Sequence, residues 1–215
     1  MRRGDGMSTT RWWWIRHAPV VNPDKLLYGR LDLPADTSDA AAISALAARL
    51  PRKAVWLQSP LRRTAETAAA LLAAMGEAVV PAVEPALVEQ DFGAWQGRPS
   101  REIYRALPRH DPFWSHPSAH AAPGGESFDA LLRRVQPAIL ALSDAHAGRD
   151  IVAVAHAGTI RAAAALALDL DGERALRLAV DTLSLTRIDR IRSSSGAESW
   201  RIVALNLPFG TEKMY

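Results

Sequence analysis

Two histidines and two arginines in this sequence have the side chains needed to bind and attack a phosphate group. They are His17, His156, Arg16 and Arg63. A histidine can attack phosphorus as a nucleophile, while cationic side chains hold the phosphoryl oxygens. No carboxylate set of the kind that binds a metal accompanies these four residues in the sequence. The pattern therefore favours a phosphate site over a metal site.

Each of these residues follows an apolar run that is short and bounded by polar or turn residues. The runs cover residues 12–15, 54–57 and 151–155, and alanine-rich helical patterns follow the second and third. Such short runs predict buried strands rather than helices. Ligands bind beyond the carboxyl ends of the strands in an open α/β sheet. If the three strands are parallel neighbours, we expect the four side chains to meet in one crevice.

The apolar spacing predicts a three-layer α/β/α fold with a mostly parallel central sheet and an antiparallel C-terminal strand pair. The predicted strands cover residues 11–16, 54–58, 79–83, 151–155, 182–188 and 200–205. The predicted helices begin near Asp39, after Pro60, after Ser127 and at Thr159. Pro137 is expected to kink the third helix or split it in two.

Composition narrows the class of protein. The length of 215 residues suits one domain, and the chain has no cysteine for a disulfide or a thiolate nucleophile. The formal net charge is +3 with scattered basic residues, so we expect no nucleic-acid partner.

We expect residues 1–10 to be a disordered tail without a signal peptide, followed by a single domain over 11–215. No apolar run approaches membrane-spanning length, so we expect no membrane partner and a cytoplasmic location.

Five short motifs together resemble the histidine phosphatase superfamily, in its phosphoglycerate-mutase-like branch. They occur in that family's order between about residues 11 and 165. The motifs are Arg16-His17-Ala18, the segment 59–68, Glu89 ahead of the segment 92–97, Gly124-Gly125-Glu126-Ser127, and the segment 156–161. Thr64 stands where the family usually has alanine. Each motif alone is weak, but five in order are specific.

The resemblance implies roles for individual residues. His17 would be the nucleophile that forms a phosphohistidine, while Arg16, Arg63 and His156 would hold the phosphate. Glu89 would be the proton donor, because another branch of the family has an aspartate at the position of Ala157. Residues on the substrate side would be Asn22, Tyr28, Arg30 and Ala157. No metal or other cofactor is implied, and the partners would be a small phosphate ester and the phosphate ion released from it.

Residues 98–125 are rich in proline, aromatic residues and histidine. A lid that closes over the substrate is the interpretation we prefer. A metal site at His110, His116 and His120 is the alternative, although their spacing fits no common zinc pattern.

The resemblance favours a phosphatase of a small phosphorylated metabolite, similar to enzymes that act on α-ribazole phosphate. One alternative is a phosphoglycerate-type mutase, which would return the phosphoryl group to another hydroxyl. Mutases of this branch are usually longer, so the short chain and compact insert favour the phosphatase. A non-catalytic phosphate-binding pseudoenzyme is a second possibility, and an unrelated doubly wound binding module is a third. The sequence makes no prediction of the oligomeric state.

Overall fold

The computed structural model describes residues 7–209. Its strands are β1 Ser8–Arg16, β2 Leu26–Leu27, β3 Val55–Gln58, β4 Ala82–Val83, β5 Arg98–Pro99, β6 Asp150–Ala155, β7 Leu185–Arg192 and β8 Glu198–Leu207. Its α-helices are α1 Ala40–Ala47, α2 Arg62–Met75, α3 Ser100–Ala106, α4 Pro112–Ser115, α5 Phe128–Ala145, α6 Ala157–Leu168 and α7 Gly172–Ala175. Two 3-10 helices cover Pro85–Leu87 and Gly93–Trp95.

The main sheet has the strand order β4-β3-β6-β1-β7-β8, with β6 in the centre between β3 and β1. Strands β4, β3, β6 and β1 run parallel, whereas β7 and β8 are antiparallel additions at one edge. Helices α1 and α2 contribute to the hydrophobic cluster on one face, and α5 and α6 contribute to the cluster on the other. The predicted fold class is thereby confirmed.

Strand β1 shows why a tryptophan-rich run forms a strand here. Successive side chains of a strand point to opposite faces, so Trp12 and Trp14 share one face, where their rings stack 4.6 Å apart. The indole N–H of Trp12 donates to Ser143 Oγ on α5 at 2.8 Å. Trp13 lies on the other face, beneath the Arg187 guanidinium. Side chains on both faces of β1 therefore pack against other residues, and the strand is hydrogen-bonded to β6 on one side and to β7 on the other.

Several details of the predicted elements differ in the structure. The tail prediction is wrong for residues 8–10, because they belong to β1 and pair with β7, whereas residues 1–6 lie outside the described residues. The predicted strand 79–83 shrinks to β4, since Pro81 has no N–H to donate. Strand β7 begins three residues later than predicted, after a turn in which Leu183 has a positive φ of 54°. Pro137 does not split α5, which continues through it and buries apolar residues on both sides of it.

The insert begins with β5, which pairs with β2. Helices α3 and α4 follow, and Trp95, Ile103 and Ala122 form a small hydrophobic cluster separate from the two clusters on the sheet. Over residues 7–209, no helix is both long enough and apolar enough to cross a membrane.

Candidate functional site

Backbone hydrogen bonds bring the ends of β1, β3 and β6 to one point. The N–H of His17 donates to the Ala155 carbonyl at 3.1 Å, and the N–H of Ser59 donates to the Val154 carbonyl at 3.2 Å. The residues after each strand therefore meet at the carboxyl edge of the sheet, as the sequence predicted. This arrangement is the usual position of a ligand site in an open α/β sheet.

His17 and His156 face one another in this crevice. Their ring centroids are 5.2 Å apart, and their side chains are 1% and 0% exposed. The Nδ1 atom of His17 lies 2.7 Å from the Ala18 carbonyl oxygen. Because a carbonyl can only accept, Nδ1 carries the proton and Nε2 keeps its lone pair. Nε2 is therefore the nitrogen able to attack an electrophile.

The surroundings of His17 keep it in the neutral form. Burial lowers its pKa well below the ordinary value, and the positive charges of Arg16 and Arg63 lower it further. The hydrogen bond to Ala18 opposes this effect without reversing it. A neutral imidazole is the form that a nucleophilic histidine requires.

Arg63 lies in the first turn of α2 and is completely buried. Its two terminal nitrogens donate to the carbonyl oxygens of Leu31 at 2.7 Å and Gly29 at 2.6 Å. Its guanidinium also lies 5.0 Å from the ring centre of Tyr28. The neighbouring Arg62 is exposed and pairs with Glu66, so the two adjacent arginines have different environments.

His156 is the N-cap residue of α6 and contacts Ser59, the residue that follows β3. Its Nε2 lies 2.6 Å from Ser59 Oγ. Burial lowers the pKa of His156 well below the ordinary value, and nearby His17, Arg63 and Arg16 lower it further. A protonated His156 would suit phosphate binding. The negative charge of a bound phosphate dianion would favour that protonated form, which the surrounding positive charges disfavour when the site is empty.

Three nitrogen atoms at this crevice are buried and have no hydrogen-bond partner among the described residues. They are Arg16 Nε, Arg63 Nε and His156 Nδ1. Buried polar atoms are normally paired, so three unpaired nitrogens in one crevice are consistent with a ligand site. The donors and positive charges of the arginines fit the oxygens of an anion such as phosphate.

Glu89 lies against the turn that follows His156. Its Oε1 accepts from the N–H of Gln90 at 2.9 Å, and the N–H of Gly158 points to its Oε2 at 3.5 Å. A Cβ placed on Gly158 would lie 2.5 Å from Glu89 Oε1. The glycine therefore allows the carboxylate to approach the start of α6.

A partly buried ion-pair network holds the backbone that carries Glu89. Glu126 accepts from Arg134 at 2.7 Å and from Arg30 at 3.0 Å. Both arginines also donate to the Glu89 carbonyl, and Arg134 donates to the carbonyls of Ala86 and Val88 as well. Burial alone would raise the pKa of Glu126, but the hydrogen bonds and charge of Arg134 outweigh it and hold this pKa below its ordinary value.

The crevice opens into a cavity of about 210 Å³. Its lining includes Arg16, Tyr28, Glu89, Ala157 and Gly158. His17, Arg63 and His156 are buried beside this cavity and do not line it. The Tyr28 ring, which does line it, is 6.3 Å from the His17 ring.

Two residues predicted on the substrate side have other contacts in the structure. Both polar atoms of the Asn22 amide bond to the backbone of Leu26 at 2.9 Å, so Asn22 closes its own loop at the edge of a second cavity. Arg30 does not line the cavity beside His17, because its guanidinium is held by Glu126, Asp91 and the Glu89 carbonyl.

The histidines of the insert have different surroundings. His120 stacks with Trp95 at 6.1 Å and lies 3.7 Å from Asp111, whereas His110 and His116 are exposed. Within residues 7–209 there is no group of three or more His, Asp or Glu side chains that could hold a metal ion.

Several residues of the site were not assigned a role from the sequence. Ser59 and Gly158 belong to motifs that the resemblance already covered, so their position in those motifs was a signal. Arg161 lines the cavity and is the last residue of the fifth motif. Arg134 had no such signal, because an arginine on an amphipathic helix usually faces solvent.

Comparisons with known proteins match most of the chain. The model of the histidine phosphatase superfamily (branch 1) matches residues 12–206. The chain is 34% identical over 200 residues to the bifunctional protein Rv2228c of Mycobacterium tuberculosis, covering 91% of this chain and 54% of that protein. The chain thus spans about half the length of these curated relatives.

Solved structures match over nearly their whole length. A mycobacterial glucosyl-3-phosphoglycerate phosphatase in complex with inorganic phosphate has a TM-score of 0.75 and 25% identity, covering 93% of this chain and 98% of that one. The alpha-ribazole phosphatase of Shigella flexneri has a TM-score of 0.74 and 26% identity, covering 94% of this chain and 100% of that one.

Proposed function

Because the chain belongs to branch 1 of the histidine phosphatase superfamily, we propose that it hydrolyses a phosphate monoester of a small metabolite. The reaction would pass through a phosphohistidine on His17 and use no metal ion. Relatives named as phosphatases of glucosyl-3-phosphoglycerate and of alpha-ribazole phosphate support this reaction class. A cytoplasmic location stays a prediction from the sequence.

The proposal depends above all on the protonation and placement of His17. Its Nδ1 donates to the Ala18 carbonyl, so the lone pair of Nε2 is available, and the pKa of His17 is lowered by burial and by Arg16 and Arg63. The same cations that keep the ring neutral would hold the phosphoryl oxygens as negative charge spreads over them. Arg16 and Arg63 would therefore serve both to keep His17 neutral and to bind the phosphate.

In the first step, His17 Nε2 would bond to phosphorus while the ester P–O bond breaks. Glu89 in its protonated form would give its proton to the departing oxygen, which leaves as an alcohol. Arg16, Arg63 and His156 would hold the three remaining phosphoryl oxygens. Since His17 is 1% exposed, we expect the side chain of Tyr28, which lines the cavity, to move aside as substrate enters.

In the second step, water would attack the phosphohistidine. The Glu89 carboxylate would take a proton from that water, its oxygen would bond to phosphorus, and the P–N bond would break. Inorganic phosphate would leave, Glu89 would again carry a proton, and His17 would regain its lone pair. The arginines supply the positive charge that a metal ion supplies in other phosphatases.

The experiment is hydrolysis of p-nitrophenyl phosphate in the presence of a chelator, with the wild type beside His17→Ala. His110→Ala is the matched control, because it removes an exposed histidine of the insert. We expect full activity in the wild type and the control and none in His17→Ala. A base-quenched reaction should show one added phosphoryl group on the wild type and the control, and none on His17→Ala, by mass spectrometry.

A loss of wild-type activity on adding chelator would contradict the metal-free scheme. Equal activity of His17→Ala and wild type would contradict the assignment of the nucleophile. No hydrolysis by a wild type that still becomes phosphorylated would indicate a mutase, and no phosphorylation at all would indicate a binding protein.

A further inference from the structure

A third cavity, of about 200 Å³, adjoins the one beside His17 and is distinct from the cavity at Asn22. We call it the aromatic lobe, because its lining includes Phe92, Trp95, Tyr104, Phe113 and Phe128. The lobe and the first cavity share lining residues at their junction. These are Leu27, Gln90, Phe92, Phe128, Arg161 and Leu176. A molecule whose phosphate lies near His17 would therefore extend its other end into the lobe.

The rings around the lobe support one another. Phe113 packs edge-on against Trp95 at 5.6 Å and stacks with Tyr104 at 5.7 Å. His120 completes the wall, stacked on Trp95 at 6.1 Å. This packing forms a wall of ring faces and edges on one side of the lobe. Aromatic pairs of this geometry contribute about 0.5–1.5 kcal/mol beyond the area they bury.

The lobe has few polar groups for a leaving group rich in hydroxyl or carboxylate groups, since its polar side chains are Gln90, Tyr104, His120 and Arg161. Among its lining residues, Arg161 is the only arginine, lysine, aspartate or glutamate. Arg161 lies at the junction with the first cavity and donates from Nε to the Leu178 carbonyl at 2.8 Å. A sugar acid would need several polar partners in the lobe to replace its lost water. A flat ring needs only the apolar surface that is present.

From this lining we infer that the substrate is a phosphate monoester whose alcohol carries a flat aromatic ring system, bound in the aromatic lobe. The inference rests on the proposed phosphatase activity and narrows it to one substrate class. The volume of the aromatic lobe is large enough for an aromatic ring, since a cavity of about 150 Å³ already accepts benzene. Arg161 would contact polar atoms of the linker between ring and phosphate, while Phe113 and Trp95 would contact the ring.

The test compares three phosphate esters of primary alcohols, so that the chemical step stays the same. They are 2-naphthylmethyl phosphate, cyclohexylmethyl phosphate and glycerol 1-phosphate. We expect kcat/KM to fall in that order, with roughly tenfold or more between the first and the last, which corresponds to about 1.4 kcal/mol. Phe113→Leu should remove most of the preference for naphthyl over cyclohexyl, measured as the ratio of the two kcat/KM values.

The matched control is Trp114→Leu, the adjacent aromatic residue, which is 48% exposed and does not line the lobe. It should keep the wild-type order of substrates. If Phe113→Leu does not fold, competitive inhibition of wild-type p-nitrophenyl phosphate hydrolysis by 2-naphthylmethanol, and none by glycerol, supports the proposal. Equal inhibition by the two alcohols overturns it.

The possible failures are distinguishable. Absence of hydrolysis for every ester, p-nitrophenyl phosphate included, would contradict the phosphatase activity itself. Hydrolysis of all esters with equal kcat/KM, or with glycerol 1-phosphate preferred, would leave the phosphatase standing and overturn the aromatic substrate class. An unchanged preference in a folded Phe113→Leu would overturn the assignment of the lobe as the binding site.

Discussion

The carboxylate of Glu89 and the backbone of Gly158 lie so close that a side chain on the glycine would collide with Oε1 at 2.5 Å. Gly158 is a residue of α6, where alanine is intrinsically preferred over glycine. The added Cβ would also lie 3.0 Å from Leu131 Cδ1, so the helical preference for alanine is set against a packing cost. We expect Gly158→Ala to displace Glu89 and to lower kcat by about 10²-fold, in the range of lost general acid catalysis.

A double-mutant cycle tests whether this effect passes through Glu89. In a Glu89→Gln background, Gly158→Ala should cost little further activity, because the proposed proton donor is already absent. Additive losses would contradict the assigned contact. Rates with p-nitrophenyl phosphate should be less sensitive to both changes than rates with an alkyl phosphate, since nitrophenolate leaves without a proton.

Glu126→Gln should act at a distance on Glu89. The substitution removes the charge that orients Arg30 and Arg134, and both arginines hold the Glu89 carbonyl. We expect kcat for an alkyl phosphate to fall about tenfold, with the inhibition constant of inorganic phosphate unchanged. Glu198→Gln is the control, because that glutamate also pairs with arginines but lies on β8. A loss of phosphate affinity equal to the loss of kcat would contradict this positioning role.

Arg63→Lys should lose much more activity than Arg62→Lys, although the two residues are adjacent. Arg63 spans the carbonyls of Gly29 and Leu31 with its two terminal nitrogens, which one lysine ammonium cannot reproduce. We expect a loss of about 10²-fold in kcat/KM for Arg63→Lys and almost none for Arg62→Lys. Phosphate inhibition measured beside kcat/KM checks this, and similar values for the two variants would refute it.

The lowered pKa values of His17 and His156 predict how stability depends on pH. Below about pH 6.5 the histidines of the unfolded chain take up protons that the folded protein does not bind. Stability should therefore fall as the pH drops below that value, by up to about 1.4 kcal/mol per pH unit for each histidine. Urea unfolding between about pH 5 and 7.5 measures this slope.

The slope should be smaller in the double variant His17→Gln, His156→Gln. Saturating phosphate should also reduce it in the wild type, because the dianion favours protonated imidazole. An identical slope in the wild type and the double variant would show that other groups cause the pH dependence.

The fold, and the meeting of Arg16, Ser59 and His156 at one edge of the sheet, could be predicted because they depend on local sequence patterns. The apolar runs ahead of Arg16, Ser59 and His156 were correctly predicted as strands, and parallel neighbours necessarily bring their ends together. The family resemblance is confirmed by the match over residues 12–206.

Residues that act through distant partners could not be predicted. Arg30 was expected to contact substrate, but its partner Glu126 comes far later in the chain and only the folded structure brings them together. The same holds for Arg134, whose contacts are backbone carbonyls of the segment 86–89. A backbone carbonyl has no signature in a sequence, so no pattern could have revealed these bonds.

The strands that pair with β1 also determine when the candidate site can form during synthesis on the ribosome. Trp12 pairs with Ile151 on one side and with Ile188 on the other. Strand β1, which ends at the residue before His17, is synthesised well before β6 and β7, so both of its partner strands leave the exit tunnel long after it does. Until then the tryptophans of β1 have no neighbouring strands, and the site cannot be completed before β7 has been released.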